Sequence, residues 1–247
     1  MRRAGFIVLY YVSWAAFAAV GLLLNLACAP LLLAPRRRAR ARSVRSWIRF
    51  LFDLWVRWFH ASKVLHIRWR GFDRPLTAGT VYVANHPTLL DATFLLARLP
   101  DAICIFKPAL MHNPAIGPAA VMAGYVSGRD PLEILVSAAD EVAHGRSLLI
   151  FPEGTRTGPG SVLEPLKHGF AFVAHRGRAP VQLILIEASD GVVPRGRPWW
   201  LPPRQLPAKM TITLDERWDY DATREPRQLS AEVEQRMLAG LRKRAPS

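Results

Sequence analysis

The N-terminal end of the chain has a long apolar stretch. No charged residue occurs from Ala4 to Pro35, and Phe6–Leu24 are 19 almost wholly apolar residues. As a helix, this segment spans roughly 29 Å at 1.5 Å per residue, which matches the hydrocarbon core of a bilayer. A cleaved signal peptide is the rival interpretation, but the stretch is longer than the usual apolar region and has no convincing small-residue cleavage site. We therefore expect residues 1–35 to be an uncleaved membrane anchor.

Two residues leave the path of this anchor open. Asn25 and Pro30 interrupt the second part of the apolar stretch, and a proline removes a backbone donor from a helix. A helix–break–helix hairpin that dips into one leaflet is therefore an alternative to a helix that spans the bilayer. Both paths are compatible with the pattern.

Positive charge is concentrated on the downstream side of the anchor. Only Arg2 and Arg3 precede the apolar stretch, whereas five arginines follow it closely: Arg36, Arg37, Arg38, Arg40 and Arg42. An excess of Lys and Arg keeps its side of a membrane helix in the cytoplasm. We therefore expect the protein in the cell inner (cytoplasmic) membrane, with the body of the protein facing the cytoplasm.

Residues 43–60, SVRSWIRFLFDLWVRWFH, have the period of an amphipathic helix. Tryptophan and aliphatic residues fill most of its faces, and the charged positions recur every fourth residue: Arg45, Arg49, Asp53 and Arg57. Such a helix either packs on a protein core or lies among lipid headgroups, where its arginines meet anionic phosphates. Because it follows a membrane segment, we expect residues 36–66 to form a basic interfacial helix.

Beyond residue 66 the pattern changes to short runs rich in β-branched and aromatic residues: IRWRG, TVYVANH, AICIFK, SLLIFPEG, VQLILIE and MTITLDE. Asp130 has the position of a helix cap before Pro131. Helices are predicted between or after the runs, at Leu89–Ala97, Pro131–Ala143, Lys167–His175 and Ser230–Leu241. This alternation is typical of an α/β domain, which we assign to residues 67–247.

The composition fits one large domain with apolar surface to spare. The chain has 247 residues, of which 51% are hydrophobic, so a disordered chain and a pair of large domains are both excluded. Its two cysteines, Cys28 and Cys104, both lie in apolar runs and offer neither a CxxC motif nor a disulfide framework.

The net charge of +14 is unevenly distributed. Residues 1–72 hold 13 Lys and Arg against one acid, whereas residues 73–247 hold 20 against 18. Clustered arginines among aromatic residues are also found in nucleic-acid-binding proteins. Here they flank a hydrophobic anchor and are accompanied by no zinc-finger spacing or RNA-binding aromatic motif. We therefore expect lipid headgroups, and not nucleic acid, to meet these charges.

Candidate chemistry begins where the second apolar run ends, in Asn-His-Pro-Thr-Leu-Leu-Asp, residues 85–91. Five residues separate His86 from Asp91, which permits contact across a turn. A neutral imidazole accepts a proton from a hydroxyl when a carboxylate fixes its tautomer and stabilises the imidazolium. The alternative is a structural histidine with an acid at a helix N-terminus.

A second polar motif, Phe-Pro-Glu-Gly-Thr-Arg, follows the run SLLI at residues 151–156. Its glycine admits close backbone approach, and its arginine can bind a phosphate with two parallel hydrogen bonds. Lys107 and the run GYVSGRD, residues 124–130, add cations near other predicted element ends, where ligands of α/β sheets gather. Taken singly, each is a plain loop or a solvated surface charge.

In this order and spacing, the motifs resemble the glycerolipid (lysophospholipid) acyltransferase family over Val81–Ile186. NHPTLLD matches the HxxxxD block of the family, and FPEGTR matches its third block. GYVSGRD is a looser match to the second block, because Val126 and Ser127 stand where larger apolar residues are usual. The resemblance implies an α/β fold with a mixed sheet and surrounding helices, preceded here by the N-terminal membrane-anchoring helical segment.

The resemblance also implies a reaction. A fatty acyl group would pass from a thioester, on acyl carrier protein or coenzyme A, to the free hydroxyl of a lysophospholipid. The expected acceptor is 1-acyl-glycerol-3-phosphate, which gives phosphatidic acid. No cofactor or metal is expected, since a thioester is already activated, and membrane lipids are the expected surroundings.

By the same resemblance, His86 is the base and Asp91 its orienting partner. The family's substrate-binding positions correspond to a larger set: Lys107, Arg129, Glu153, Gly154, Thr155 and Arg156. Two alternatives stay open. One is a sister acyltransferase with another acceptor, such as a lyso-aminolipid or a lipid-linked pigment. The other is a non-catalytic membrane protein that binds anionic lipid.

Overall fold

The computed structural model describes residues 3–33, 37–114, 116–189 and 192–244. One sheet is built from six strands: β1 (Leu65–Arg70), β2 (Val81–Ala84), β3 (Ala102–Cys104), β4 (Ser147–Ile150), β5 (Val181–Ala188) and β6 (Ala208–Trp218). Each strand lies within or overlaps one of the six runs found in the sequence. The predicted α/β class is therefore confirmed.

The sheet is mixed and has the order β1-β6-β5-β2-β4-β3. Strands β2, β3, β4 and β5 run parallel to one another, β6 is antiparallel to β5, and β1 is parallel to β6. Burial on both faces explains the nearly continuous apolar sequences of the four parallel strands. Because their carboxyl ends share one edge, the loops that follow them come together there.

Helices surround the sheet: α1 (Arg3–Cys28), α2 (Arg37–Ala61), α3 (Asp91–Leu96), α4 (Pro108–Met111), α5 (Gly117–Ala123), α6 (Pro131–Ala143), α7 (Gly169–Arg176) and α8 (Pro226–Arg244). Helix α6 has the predicted limits, and Asp130 Oδ1 caps it by accepting a 2.7 Å bond from the Leu132 N–H. The sequence pattern does not predict α4 and α5, because four and seven residues are too few to show a helical period.

Successive residues of the central strands enter two separate cores. Tyr82 of β2 faces a core that includes buried residues of α2 and α3, whereas Val83 faces a core that includes residues of α6, α7 and α8. The sheet is thus covered on both sides, and only its carboxyl edge is left for a site assembled from loops.

Helix α1 packs against the rest of the protein. The indole N–H groups of Trp55 and Trp58 on α2 donate to the Ser13 carbonyl and hydroxyl oxygens, at 3.0 and 2.8 Å. Asn25 does not interrupt the helix, contrary to the sequence-based expectation. Instead its Oδ1 accepts a 2.9 Å bond from the Ala119 N–H of α5, so a polar residue in an apolar stretch serves as a docking contact.

Apolar surface remains exposed on both N-terminal helices. The segment Arg3–Leu33 is long and apolar enough to cross a membrane. Helix α2 buries one apolar face and exposes a second apolar stripe at helical spacing, formed by Trp47, Phe50, Leu54 and Trp58. Residue 35, where the predicted anchor ends, lies outside the described residues, as do Arg2 and Arg36 of the predicted charge bias.

Arg45 departs from the exposed charged stripe predicted for α2. Its Nε donates to Asp101 Oδ1 at 2.6 Å, and its Nη1 donates to the Ala123 carbonyl oxygen at 2.8 Å. The side chain is 4% exposed, whereas Arg49 and Arg57 are at the surface. The pair formed by Arg45 and Asp101 therefore fastens α2 to the domain, and only part of the charged stripe faces outward.

Candidate active site

The turn that follows β2 brings His86 and Asp91 together. The strand ends at Ala84, and Asp91 is the first residue of α3. His86 Nδ1 lies 2.8 Å from Asp91 Oδ2, so the contact expected from the five-residue spacing is present.

Asp91 is wholly buried and fixed by several donors. Its Oδ2 accepts a 2.7 Å bond from the Thr88 N–H, and its Oδ1 accepts a 2.5 Å bond from the Thr88 hydroxyl. Burial raises the pKa of Asp91, while the bonds from His86 and Thr88 act in the opposite direction. When Asp91 is ionised and His86 is neutral, the Nδ1–H group of His86 donates a hydrogen bond to the Asp91 carboxylate. The lone pair on Nε2 is then available to accept a proton from a substrate.

The imidazole ring of His86 stacks on Phe151, the first residue of the FPEGTR motif. Their ring centroids are 4.2 Å apart and the rings are inclined by 20°. The His86 side chain is 20% exposed and that of Asp91 is 0% exposed. A substrate hydroxyl therefore has access to the histidine, while the carboxylate behind it is shielded from water.

Glu153 joins the two motifs through its carboxylate. Oε1 accepts a 2.6 Å bond from the His86 backbone N–H, and Oε2 accepts a 2.9 Å bond from the Glu164 backbone N–H. The Thr157 hydroxyl lies within hydrogen-bond distance of both oxygens. Glu153 is buried, and its oxygens already contact donors within the protein. The carboxylate thus links the loop that carries His86 to the loop that follows β4.

Lys167 adds a cation beside the FPEGTR motif that the motif pattern did not single out. Its backbone N–H donates to the Pro152 carbonyl oxygen at 2.8 Å. A Cβ atom on Gly154 would lie 2.9 Å from Lys167 Nζ, and Gly154 has a φ of +66°. The positive φ favours glycine here, and the absence of a side chain leaves room for the end of Lys167 beside the motif. The sequence placed Lys167 only at the start of a predicted helix, and the fold brings it onto the motif.

Arg156, the last residue of the motif, reaches toward the loop that follows β5. Its Nη1 lies 3.3 Å from the Val193 carbonyl oxygen and 3.2 Å from that of Pro194. Arg195 Nη1 in turn lies 3.5 Å from the Arg156 carbonyl oxygen. One nitrogen of the guanidinium is thus engaged with backbone, and the half-buried side chain keeps further donors. Thr155 beside it is also half-buried.

Lys107 and Arg129 lie farther along the carboxyl edge, beside β3. The Phe106 backbone N–H donates a 2.8 Å hydrogen bond to the Val126 carbonyl oxygen. This bond holds the segment that carries Lys107 beside the segment that carries Arg129. Both side chains are exposed. The structure gives them no hydrogen bond or ion pair with His86, Asp91 or the described FPEGTR residues. They share the edge of the sheet with these groups and are separated from β2 by β4.

The part of the chain that the structure describes shows no metal centre and no activated thiol beside these motifs. There, no group of three or more His, Cys, Asp and Glu side chains is placed to hold a metal ion. Burial raises the pKa of the Cys104 thiol to about 12, so this thiol is protonated near neutral pH and is a poor nucleophile.

Comparison with known proteins relates the chain to acyltransferases. Residues 66–187 match the model of the family described as Acyltransferase. A 1-acyl-sn-glycerol-3-phosphate acyltransferase of Helicobacter pylori is 31% identical over 119 residues, which cover 45% of this chain and 50% of that protein. The chloroplastic 1-acyl-sn-glycerol-3-phosphate acyltransferase BAT2 of Brassica napus is 33% identical over 121 residues, which cover 47% of this chain and 35% of that protein. The chain thus spans half or less of the length of these relatives.

A solved structure has the same fold over the whole chain. The 1-acyl-sn-glycerophosphate (LPA) acyltransferase PlsC from Thermotoga maritima superposes with a TM-score of 0.76 at 21% sequence identity. The superposition covers 100% of this chain and 98% of that one. The likeness therefore includes the N-terminal helices as well as the sheet.

Proposed function

The chain contains a domain of the acyltransferase family at residues 66–187, and from that premise we propose that it transfers a fatty acyl group from a thioester to the free hydroxyl of a lysophospholipid. The acceptor is 1-acyl-glycerol-3-phosphate and the product is phosphatidic acid, in keeping with the names of the curated relatives. The donor is acyl carrier protein or coenzyme A bearing the acyl group. The observation that carries the proposal is the 2.8 Å contact of His86 Nδ1 with the buried Asp91 Oδ2, next to the FPEGTR motif, on whose Phe151 the His86 ring stacks.

In this mechanism His86 acts as a general base. Its Nε2 takes the proton of the acceptor hydroxyl as that oxygen attacks the thioester carbonyl carbon, and Asp91 stabilises the imidazolium. The carbon–sulfur bond then breaks, and the leaving thiolate receives the proton from His86. No acyl-enzyme forms. The burial of Cys104, with its raised pKa, and the absence of a GxSxG motif from the sequence support this direct route.

The substrate lies over FPEGTR in the same proposal. Gly154, Thr155 and Arg156 contact the acceptor, and Lys107 and Arg129 supply positive charge from the neighbouring side of the edge. A planar guanidinium binds two oxygens of a phosphate at once, which makes Arg156 the holder of the acceptor phosphate. Glu153 does not bind the acceptor in this proposal, because donors within the protein already contact both of its carboxylate oxygens. We propose that it positions the His86 loop.

The test is transfer by purified protein from labelled acyl donors to a panel of lysolipids, read by mass spectrometry. We expect activity toward 1-acyl-glycerol-3-phosphate. In Arg156→Lys the Michaelis constant for this acceptor should rise markedly with little change for the donor, because lysine keeps the charge and loses the bidentate geometry. Activity only toward a lysolipid without a phosphomonoester would favour the sister acyltransferase instead. No transfer to any acceptor would overturn the proposal.

For the membrane segment we propose that α1 lies within one leaflet rather than across the bilayer. Tyr11 donates to the Trp200 carbonyl oxygen at 3.0 Å, and Asn25 contacts the Ala119 N–H of α5. These contacts are about 20 Å apart along the helix at 1.5 Å per residue. A helix held at both points lies along the side of the domain, and it cannot at the same time stand across the membrane away from that domain. The exposed stripe Trp47, Phe50, Leu54 and Trp58 supports an interfacial position for α2.

Washing of isolated membranes tests this attachment. Full-length protein should resist high salt and carbonate and dissolve in detergent, because a buried apolar helix is not screened by ions as a surface charge is. A reagent that modifies cysteines introduced at residue 4 and residue 74 should reach both from the cytoplasmic side only. Labelling of residue 4 from the opposite side would show that α1 spans the bilayer.

A further inference from the structure

A cleft of about 890 Å³ opens on the β5 side of the catalytic loop. One wall is the loop itself, through Asn85, Pro87 and Thr88, which flank His86. Residues of the segment 192–204, which follows β5 and belongs to none of the family motifs, form a second part of the lining, and residues 157–162, which follow FPEGTR, form a third. The cleft is therefore adjacent to the proposed base while being formed largely by residues to which the motifs assign no role.

Positive charge dominates this cleft. Among its described lining residues, three guanidinium groups, those of Arg195, Arg197 and Arg204, accompany a single carboxylate, that of Glu187. Arg195 is also 3.7 Å from Glu164 Oε1 and remains 47% exposed. Three arginines around one concave surface give it a positive potential that favours a bound anion.

The guanidinium of Arg197 is oriented by one hydrogen bond and has a second donor without a partner among the described residues. Its Nη2 donates to the Pro202 carbonyl oxygen at 2.6 Å, which fixes the direction of the guanidinium. Its Nε is buried and has no hydrogen-bond partner among the described residues. A buried donor without a partner is destabilising, and the oxygen of a bound anion would supply the missing acceptor.

The arginine-bearing segment is pinned to the catalytic loop. Thr88 forms an antiparallel bridge with Pro194, and the Leu89 N–H donates to the Val193 carbonyl oxygen at 3.2 Å. Arg156 lies against the same two carbonyl groups, of Val193 and Pro194. The positions of the cleft arginines are thus tied to that of His86, so an anion bound there would be fixed relative to the reacting atoms.

We propose that this cleft binds the phosphate ester group of a substrate through Arg195, Arg197 and Arg204. Guanidinium groups bind phosphate oxygens in pairs with charge-assisted hydrogen bonds. The proposal rests on the acyl-transfer function proposed above. Both substrates of that reaction carry phosphate esters: the acceptor as a phosphomonoester, and the donor in its phosphopantetheine arm. The shared chemistry is a phosphate ester, and the experiment separates the two sources.

The experiment compares the full-length wild type with the double variant Arg195→Ala/Arg204→Ala, whose two side chains are exposed and whose loss should leave the fold intact. Arg74→Ala is the matched control, an exposed arginine in the loop between β1 and β2, at the opposite edge of the sheet. Michaelis constants are measured separately for the lysophospholipid and for the acyl donor. Binding of inorganic phosphate is measured by calorimetry, which does not depend on acyl transfer.

In the double variant we expect one Michaelis constant to rise by about tenfold or more with a small change in kcat, since charge-assisted bonds are lost from substrate binding. A rise for the acceptor shows that the cleft binds the phosphomonoester together with Arg156, and a rise for the donor assigns the cleft to the pantetheine phosphate. Phosphate binding should weaken in parallel, and Arg74→Ala should match the wild type.

Unchanged Michaelis constants and phosphate affinity in the double variant would overturn the proposal, as would an equal loss in Arg74→Ala. A wild type that binds no phosphate would also overturn it. If the wild type transfers no acyl group, the proposed function fails. The calorimetric arm still decides whether the cleft is an anion site.

Discussion

Replacing Glu153 by glutamine distinguishes a residue that binds substrate from one that positions the catalytic loop. The carboxylate accepts from the His86 N–H at 2.6 Å and from the Glu164 N–H at 2.9 Å, on different oxygens. An amide has only one oxygen, so one of these two backbone donors would face an NH₂ group. A buried donor without an acceptor costs about 1–3 kcal/mol. We expect the free energy of unfolding in urea to fall by about 2 kcal/mol.

The same substitution should affect turnover more than binding. A displacement of a catalytic group by about 1 Å can reduce the rate about 100-fold. Whichever backbone N–H faces the amide NH₂ group, the link between the His86 loop and the loop that follows β4 is weakened. We expect kcat to fall about 10- to 100-fold, while the Michaelis constant of the acceptor changes by less than about twofold. Initial rates at varied acceptor concentration measure both quantities. Glu133→Gln, at an exposed position on α6, serves as the control for loss of one carboxylate.

The reasoning is refuted if Glu153→Gln keeps the stability and kcat of the wild type and raises only the Michaelis constant of the acceptor. Glu153 would then act on the substrate itself, as the family resemblance implies. A fall in kcat with unchanged stability would indicate a direct part in the chemical step.

Further predictions concern the base, the thiol and the buried arginine. His86→Ala should lower turnover by about 10²- to 10⁴-fold. Asp91→Asn should lower it by about 10³- to 10⁴-fold, because an amide no longer fixes the tautomer of His86. Initial rates on membrane-bound protein measure both effects, and near-normal activity of either variant would contradict the mechanism. Treatment with N-ethylmaleimide at pH 7 should leave activity intact and should label Cys104 only after denaturation, because burial raises the pKa of the Cys104 thiol to about 12. Peptide mass spectrometry identifies the labelled site. Arg45→Ala should lower the free energy of unfolding by about 3 kcal/mol, because it leaves the Asp101 carboxylate unpaired in a partly buried site; the exposed Arg49→Ala should change it by less than about 0.5 kcal/mol.

The elements of the α/β domain could largely be predicted because their signals are local. The six strands coincide with short apolar runs, and helix α6 begins at its aspartate cap and proline. The pairing of His86 with Asp91 was also accessible, since only a five-residue turn separates them. In each case the residues that decide the structure are neighbours in the sequence.

Features that depend on distant residues could not be predicted in this way. The Glu153 contact with the His86 N–H joins positions 67 residues apart, and Arg45 meets Asp101 across 56 residues. Asn25 looks like a helix breaker in the sequence, and it is a docking contact only because α5 offers an unpaired N–H at that point. Nothing in the local pattern around these residues distinguishes a buried contact from an exposed polar side chain.

The order of strands in the sheet also has a consequence for the synthesis of the protein. β1 follows the N-terminal helices directly, yet in the sheet it pairs with β6, the last strand, with Leu65 opposite Ala208. A ribosome therefore makes α1, α2 and β1 well before β1 has its neighbour, and contacts of such high sequence separation form slowly. During that interval the nascent chain has an unpaired β1 and an uncovered edge of β5, both open to pairing with other chains. Early attachment of the N-terminal helices to a membrane would limit encounters of these edges with other chains, so the proposed membrane segment would act in folding as well as in the proposed reaction.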